Sequence, residues 1–264
     1  MNYYKKVYLL LAITLSFTSC YKLVDDTFPT FKTQVVMNGF LQADSVPRIH
    51  VSLSGNLSDT ALLTVPDAKV MLNNVSLVYE GNGYYVGTDT IRSGTTYTCT
   101  VEVNGFDKLT KQTTVPFAPE IISAVVNPNP FKDQFGEDVG SFELTFRTDV
   151  SQRIYYQIKL LNQRFWEDNF FWDNNGTFYI KPNSDEVFQN EAEPITTFSN
   201  IFITSNVFTL TGNMAYHFGN PYKIELQAIS PDYYQYIKQA YADRYAVNGA
   251  FVSFATSFIE INPE

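Results

Sequence analysis

This chain has little cysteine, little histidine and no apolar run long enough to span a bilayer. Its 264 residues include two cysteines and two histidines, too few for a disulfide scaffold and poorly spaced for a metal site. The apolar run VYLLLAITLSF, residues 7–17, is shorter than the roughly 20 apolar residues that a transmembrane helix needs. A transmembrane anchor and a disulfide-stapled fold are therefore the poorer interpretations.

The start of the chain has the pattern of a lipoprotein signal. A basic segment, MNYYKK, precedes the apolar run, and small polar residues separate that run from Cys20. An ordinary signal peptidase that cuts before Cys20 requires a small residue three positions before the cut, where this chain has Phe17. We therefore predict a signal peptide over residues 1–19 and lipidation of Cys20; the alternative is a chance cysteine after an ordinary signal. A lipidated Cys20 cannot form a disulfide, so Cys99 is predicted to pack as a small buried side chain on a strand.

A short leader, residues 20–32, follows the predicted lipid anchor. Lys22, Asp25 and Asp26 lie in it and resemble the acidic signal that sends Bacteroidota lipoproteins to the cell surface, although two apolar residues intervene. The alternative is a solvated linker. Cell-surface exposure is the predicted location, with attachment facing the periplasm as the other arrangement.

The charge of the chain is acidic. Its formal net charge is −9, and loss of residues 1–19 removes Lys5 and Lys6, which brings it to −11. Such a surface is poorly suited to nucleic acid or to anionic lipid headgroups. Membrane attachment must therefore come from the lipid itself.

Short runs of alternating apolar residues recur between Thr33 and Val115. They are TQVVMNGFLQ, RIHVSLSGNL, AKVMLNN, SLVYEG, YYVGTD, TTYTCTVEV and DKLTKQTTV. Several short strands with turn signals between them indicate a β-sandwich. We predict a mainly β protein with an N-terminal immunoglobulin-like or transthyretin-like sandwich over residues 33–116.

Pairs of asparagine and glycine separate these runs. Asn104-Gly105 is predicted to form a type I′ hairpin turn, because it supplies positive φ angles. Asn73-Asn74 and Gly81-Asn82-Gly83 are predicted to turn the chain in the same way. Asn38-Gly39 stands inside an apolar run, so a bulge or a close backbone approach fits it as well as a turn does.

Two prolines in VPFAP, residues 115–119, indicate a domain boundary, because proline disfavours strand pairing and stiffens a linker. A second β-rich domain is predicted over residues 117–264. Its expected strands are IISAVV, SFELTFRTD, RIYYQIKLLNQ, TFYIKP, NIFITSNVFTL, YKIELQAIS and AFVSFATSFIEI.

One helix is predicted in the second domain, near residues 231–247. Ser230 is a suitable N-cap, Pro231 suits the first helical position, and Asp232 complements the positive end of the helix dipole. One face is expected to pack against a sheet, because apolar and aromatic residues recur at helical spacing: Tyr234, Ile237, Tyr241 and Tyr245.

The order of these features resembles the Bacteroidota outer-membrane lipoprotein family numbered 4249 among the domains of unknown function. The segments that carry the resemblance follow the lipoprotein signal: VVMNGFLQADSVPRIHVSLSGNL, VPDAKVMLNN, the Gly83-Tyr84-Tyr85 turn with SGTTYTCTVEVNG, and AISPDYYQYIKQAYADRY. The resemblance implies a sandwich followed by a second β-rich domain, and an association with TonB-dependent outer-membrane transporters. It implies no activity and no catalytic residues. The chain departs from the family at GAFVSFATSFIEINPE, where a glycine-rich closing segment is expected.

The sequence contains no recognisable catalytic constellation. It has no G-x-S-x-G elbow, no H-E-x-x-H helix and no phosphate-cradling glycine loop. His50 and His217 are distant from each other and are expected to be structural or exposed to solvent. Dispersed carboxylates, as in glycosidases, are the remaining catalytic alternative. We therefore expect a protein that binds, without enzymatic activity, cofactor or metal.

The most unusual stretch is RFWEDNFFWDNNGTFYIKPNSDEVFQNEAEP, residues 164–194, which holds both tryptophans. Large aromatics beside hydrogen-bonding side chains can hold a sugar, a peptide or another protein. The alternative is a long excursion between strands whose aromatics cover the core. A calcium loop around Asp173-Asn174-Asn175-Gly176 is disfavoured, because Phe171 stands where such a loop should begin. The candidate contact residues are Phe165, Trp166, Asp168, Phe170, Trp172 and Asp173.

These observations lead to one functional expectation and one alternative. We expect a lipid-anchored outer-membrane accessory or binding protein that partners a TonB-dependent transporter in nutrient capture or uptake, as the resemblance implies. The alternative is a surface adhesin or structural scaffold without a transporter partner.

Overall fold

The computed structural model describes residues 32–55, 63–132, 138–166, 169–173, 178–181, 188–190, 195–215, 220–242 and 250–261. Within the compact unit Thr33–Glu264, these residues form nineteen strands, one α-helix and one 3-10 helix. The prediction of a mainly β protein is confirmed.

The alternating runs of the first half form strands close to where the sequence predicts them. They are β1 (Val35–Gln42), β2 (Arg48–Leu53), β3 (Leu63–Thr64), β4 (Lys69–Leu72), β5 (Val75–Ser76), β6 (Val78–Gly81), β7 (Tyr84–Val86), β8 (Thr96–Glu102) and β9 (Leu109–Thr114). In β8, Cys99 and Val101 are buried while their neighbours are half-buried, as expected of a strand with one core face. The predicted packing role of Cys99 is confirmed, since its side chain is fully buried.

The second half contributes longer strands. They are β10 (Glu120–Lys132), β11 (Asp138–Arg147), β12 (Tyr155–Trp166), β13 (Asn169–Asp173), β14 (Phe178–Lys181), β15 (Phe188–Asn190), β16 (Ile195–Ser199), β17 (Val207–Ala215), β18 (Tyr222–Ile229) and β19 (Phe251–Ile261). The helix α1 spans Pro231–Ala242, and the 3-10 helix spans Asn200–Phe202.

The predicted strand over residues 200–210 is wrong at its start, because the 3-10 helix precedes β17 there. Asn200 supplies the reason. Its side-chain amide donates to the carbonyl oxygens of Asp149 and Gln152, both at 2.9 Å, and its Oδ1 accepts from the Ile154 N–H at 3.0 Å. Such side-chain bonds to backbone compete with strand pairing.

Eleven strands form one long sheet. Its order is β15-β16-β12-β18-β19-β1-β2-β7-β6, with β13 paired to β12 and β3 paired to β2. β1 and β19 are parallel, with Gly39 beside Phe251. A Cβ at position 39 would lie 2.5 Å from Ile49 Cδ1 and 2.9 Å from the Phe251 ring. Asn38-Gly39 is therefore a close backbone approach within a continuous strand, and not a turn.

Two four-stranded sheets pack against one face of the long sheet. Their orders are β10-β11-β17-β14 and β5-β4-β8-β9. Alternate residues Phe251, Ser253 and Ala255 of β19 point to that face, and Ala255 lies opposite Ala228 of β18. This placement directs Ser253 toward β9, where its hydroxyl donates a hydrogen bond to the carbonyl oxygen of Thr114 at 2.9 Å.

Each small sheet encloses its own hydrophobic core. The first core lies under the β10-β11-β17-β14 sheet and includes Phe142, Phe146, Tyr156, Phe198 and Tyr222. The second lies under the β5-β4-β8-β9 sheet and includes Leu41, Ile49, Tyr85, Ile91 and Cys99. The second core also takes Phe251 from β19, so the last strand of the chain packs with the first.

The connector, residues 115–119, joins β9 to β10 without forming a strand, in line with its two prolines. Strands from both sides of the connector belong to the long sheet. The division of the chain into domains over 33–116 and 117–264 stays a prediction.

Two of the three predicted turns have the expected geometry. Asn73-Asn74 joins β4 to β5 with φ angles of 48° and 65°, and Asn82-Gly83 joins β6 to β7 with 49° and 81°. The type predicted for Asn104-Gly105 is wrong, because only Gly105 has a positive φ, of 83°. The N–H of Phe106 donates to the carbonyl oxygen of Val103 at 3.1 Å, so the positive φ stands at the third residue of the turn, as in type II.

The start of α1 is confirmed. Ser230 Oγ accepts a hydrogen bond from the Tyr233 N–H at 3.2 Å, and Asp232 lies in the first turn. The same oxygen accepts from the Ser253 N–H at 3.2 Å, so one hydroxyl ties the helix start to β19.

The buried side of α1 packs on the second face of the long sheet, opposite the two small sheets. Tyr234 and Ile237 are buried there with Ile229. The side chain of Tyr241 and all of Tyr245 lie outside the described part of the chain, as do residues 243–247 of the predicted helix.

Candidate functional site

The β12–β13 hairpin holds the aromatic residues predicted as a contact surface. Its register places Phe165 opposite Phe170, Trp166 opposite Asn169 and Gln163 opposite Trp172. Asp168 lies outside the described residues, and so do the side chains of Phe165, Trp166 and Asp173. The candidate calcium residues 174–176 also lie outside them.

The hairpin divides its aromatic residues between two faces. Side chains alternate along a strand, so Phe170 and Trp172 point to one face and Phe171 points to the other. Phe170 is 70% exposed and Phe171 is 43% exposed. Phe170 and Trp172 therefore belong to one surface, and Phe171 belongs to the surface on the other side of the hairpin.

Lys223 joins Trp172 to Phe258. Its Nζ atom lies 4.3 Å from the ring centroid of Phe258 and 5.9 Å from that of Trp172. The same atom lies 3.3 Å from Glu225 Oε1. We call Phe170, Trp172, Lys223, Glu225 and Phe258 the aromatic cluster.

The strand register brings these residues to one face. Gln163 lies opposite Trp172, and Leu161, two residues earlier on β12, lies opposite Lys223. Glu225 in turn lies opposite Phe258. Lys223, Glu225 and Ile229 alternate along β18, so this is also the face on which α1 packs.

An ion pair holds the cluster in place, and part of its aromatic surface stays accessible to solvent. The side chains of Lys223 and Glu225 are only 18% and 19% exposed, so solvent screens their attraction less than it screens a fully exposed pair. A cation over an aromatic face adds about 0.5–2 kcal/mol, depending on how far it is desolvated. Phe258 remains 59% exposed with the lysine in place. The arrangement can bind a group that has a flat apolar side, and the described residues of the cluster include no acid, base or nucleophile paired for covalent chemistry.

Lys223 and Phe258 were not among the predicted contact residues. Phe258 does carry a signal in the sequence: in AFVSFATSFIEI it shares its alternate positions with Phe254, Thr256 and Glu260, none of which is buried, whereas Phe251, Ser253 and Ala255 on the other positions are buried. A large aromatic at a solvent-facing position of an alternating strand marks exposed apolar surface. Its proximity to Trp172 depends on the pairing of β18 with β19 and cannot be found from spacing.

A polar row crosses the same face beside the cluster. Thr197, Gln157, Gln227 and Thr256 lie directly opposite one another on β16, β12, β18 and β19. Gln227 Nε2 donates to Thr256 Oγ1 at 3.2 Å. Among the described residues, the buried oxygens of Gln157, Thr197 and Gln227 find no hydrogen-bond partner. The row therefore lowers the free energy of unfolding, because buried acceptors without partners have lost their hydrogen bonds to water.

An open cleft of about 600 Å³ lies elsewhere, among the connector, the loop 148–154 and the start of α1. The Asn200 bonds described above order this loop. Hydrogen bonds from Ser151 and Gln152 lower the pKa of Asp149 below its ordinary value. Phe117 is 73% exposed at the cleft, and Arg147 pairs with Glu120 at 2.9 Å. The charged groups at the cleft are thus engaged with the protein itself.

His50 is the histidine that the structure describes, and it lies in an aromatic contact. His50 packs edge-on against Tyr84 with ring centroids 4.8 Å apart, and Arg48 lies over the same tyrosine ring at 4.0 Å. His217 lies outside the described residues. Within the described ranges, no group of three or more His, Cys, Asp or Glu residues could hold a metal ion.

The membrane-related predictions rest on the sequence. Cys20, Lys22, Asp25 and Asp26 all lie outside the described residues, so lipidation and surface export stay predictions. In the part of the chain that the structure describes, no helix has the length and apolarity needed to cross a membrane.

Comparison with known proteins identifies the family but no characterised relative. No curated protein matches the chain. One family model matches residues 21–262, which is nearly the whole length and includes every strand described above. The resemblance inferred from the order of the sequence features is confirmed: this chain belongs to the family described as domain of unknown function DUF4249.

Proposed function

We propose that this protein is a lipid-anchored outer-membrane binding protein that acts by recognition and not by covalent chemistry. The observation that carries the proposal is the aromatic cluster, a set of rings with Phe170 and Phe258 exposed, on the sheet face against which α1 packs. The signal pattern that ends at Cys20 supports the anchor. In this proposal the sheets form a rigid support that presents the cluster outward.

We further propose that the binding protein serves a TonB-dependent transporter in nutrient capture or uptake at the cell surface. Support comes from the association that the family resemblance implies and from the acidic leader after Cys20. A rigid aromatic surface suits such a role, because preorganised rings lose little conformational entropy when they bind.

The test of the accessory role is purification of the tagged chain from its native outer membrane in mild detergent, followed by mass spectrometry. A TonB-dependent barrel recovered in near-equal amount supports the proposal. Recovery of the lipoprotein alone contradicts it, and favours the adhesin or scaffold alternative.

The test of the anchor is metabolic labelling with palmitate. The wild-type chain is expected to incorporate the label and to sediment with outer membranes, whereas Cys20→Ala should do neither. A Cys20→Ala variant that still incorporates palmitate, or that stays firmly in the membrane fraction, would rule out Cys20 as the anchor.

A further inference from the structure

We propose that the aromatic cluster binds a neutral glycan chain, with sugar rings stacked on Trp172 and Phe258. This inference rests on the proposed function, because it names the class of nutrient that the binding protein captures. The geometry of the rings, the groups around them and the charge of the face each favour this ligand.

The spacing of the two rings suits a short stretch of linked sugars. Lys223 Nζ lies 4.3 Å from one ring centroid and 5.9 Å from the other. The centroids are therefore no more than about 10 Å apart, close enough for one short chain of linked sugars to contact both rings. The C–H bonds on one side of a sugar ring can lie flat against an aromatic face, which carries partial negative charge.

Hydrogen-bonding groups stand between and beside the rings. The Lys223 ammonium and the Glu225 carboxylate lie between the two strands that carry the aromatics, and Gln163 lies directly opposite Trp172. These groups can donate to and accept from hydroxyl groups of a ligand that rests on the rings. A purely apolar partner would bury the ion pair without replacing its contacts with water, which is unfavourable.

The charges of this face favour a neutral ligand. Lys159 lies opposite Glu225, and Lys223 lies opposite Glu260, so two lysines and two glutamates share this part of the sheet. The balance contrasts with the net charge of −9 on the whole chain. An anionic polysaccharide would be repelled by the chain as a whole without finding a net positive charge on this part of the sheet, and a strongly basic partner would meet Lys223 at the centre.

The cluster also lies far along the sheet from the end that follows the leader. Gly39 of β1 stands beside Phe251 of β19, and the two strands run parallel. Phe258 is seven residues beyond Phe251, while Val35 is four residues before Gly39. At about 3.3 Å per residue, Phe258 lies roughly 35 Å along the strand direction from Val35. The cluster therefore lies toward the other end of the sheet from Val35.

The experiment is affinity electrophoresis of the full, detergent-solubilised chain in native gels. The gels contain neutral polysaccharides (starch, dextran, mannan, xylan or β-glucan) or anionic ones (alginate or polygalacturonate). We expect at least one neutral polysaccharide to retard the protein and the anionic ones to have no effect. Trp172→Ala and Phe258→Ala should each weaken retardation about tenfold, the loss of one stacking contact, and the double variant should abolish it.

The matched control is Phe171→Ala, which removes a neighbouring exposed phenylalanine on the opposite face of the same strand. It should bind as the wild type does. Thermal unfolding of each variant checks that the fold is retained. Phe258→Trp keeps an aromatic face, so it should bind the polysaccharide where Phe258→Ala binds weakly. The proposal is overturned if no neutral polysaccharide retards the wild type, if the double variant binds normally, or if Phe171→Ala loses binding equally.

The purification described above separates this proposal from the accessory role. If the double variant loses the glycan but keeps the barrel, both proposals stand. If the wild type recovers the barrel but binds no neutral glycan, the accessory role stands and the glycan proposal fails. If the double variant loses the barrel and no glycan binds, the cluster is a protein contact and the glycan proposal fails. If the wild type binds a glycan but recovers no barrel, the accessory role alone fails.

Discussion

Replacing Tyr85 by phenylalanine should destabilise the protein more than its small chemical change suggests. The ring of Tyr85 is 2% exposed in the second core. Its hydroxyl donates to the carbonyl oxygen of Val65 at 2.7 Å and accepts from the N–H of Ala68 at 2.9 Å. One phenol thus holds both ends of the segment that leads from β3 into β4.

The magnitude follows from the groups that lose their partner. Tyr85→Phe keeps the ring and creates no large cavity, so hydrogen bonding dominates the effect. Val65 is 5% exposed, and a buried carbonyl without a partner costs about 1–3 kcal/mol. Ala68 is half-buried, so water can replace part of its lost bond. We expect a total loss of about 2 kcal/mol, which lowers the melting temperature of a chain of this size by roughly 4–8 °C.

The assay is thermal unfolding followed by circular dichroism, with urea unfolding as a second measurement. Tyr79→Phe is the matched control, because Tyr79 neighbours the Tyr85 ring at 5.2 Å but its hydroxyl accepts only a long 3.4 Å bond from Gly83. Tyr79 is 38% exposed, so its loss should cost less than about 0.5 kcal/mol. The reasoning fails if Tyr85→Phe melts with the wild type, or if both variants lose the same stability.

Three further changes test other parts of the structure. Burial raises the pKa of Cys99 from 9.0 to about 12, so between these pH values only the unfolded chain releases the thiol proton. The free energy of unfolding should therefore fall as the pH rises above 9. In urea titrations, Cys99→Ala should reduce this dependence of stability on pH. Gln157→Met removes a buried amide whose oxygen has no partner, and should leave stability unchanged or raise it by about 1 kcal/mol; a loss of more than about 1 kcal/mol in urea unfolding would show that the amide is satisfied. Gly39→Ala places a Cβ 2.5 Å from Ile49 Cδ1 and should cost about 1–3 kcal/mol by the same assay, whereas an unchanged midpoint would mean that Ile49 moves aside freely.

The sequence predicts the local elements well where one physical pattern acts alone. Alternation in TTYTCTVEV predicts a strand with Cys99 inside, and Ser230 with Pro231 predicts the start of α1. Asn73-Asn74 predicts its turn because both residues tolerate positive φ. At Asn104-Gly105 the same chemistry predicts a turn but not its type, because the closing of the loop between β8 and β9 decides which residue takes the positive φ.

Predictions fail where a distant contact competes with local propensity. The apolar run that begins at Asn200 reads as a strand, yet the Asn200 side chain bonds to a loop some fifty residues earlier and a 3-10 helix forms. Within residues 164–194, the strand predicted at TFYIKP is confirmed as β14, whereas the sequence does not predict β13 and β15, which join the long sheet. The spacing of residues along the chain predicts neither the 3-10 helix at Asn200 nor the sheets to which these strands belong.

The sequence by itself determines the family, the mainly β composition and the prediction of a lipid anchor, because each depends on residue order or on short-range periodicity. It also singles out Trp172 and Phe170 as candidate contact residues in an unusually aromatic segment. Only the tertiary structure decides that Trp172 shares Lys223 with Phe258, that Phe171 faces away, and that a single sheet joins the first strand to the last. The physical reason is that strand register and sheet order depend on pairings between distant segments, such as Gly39 with Phe251, more than two hundred residues apart. A shift of one residue in any of these pairings would turn every side chain of that strand to the opposite face.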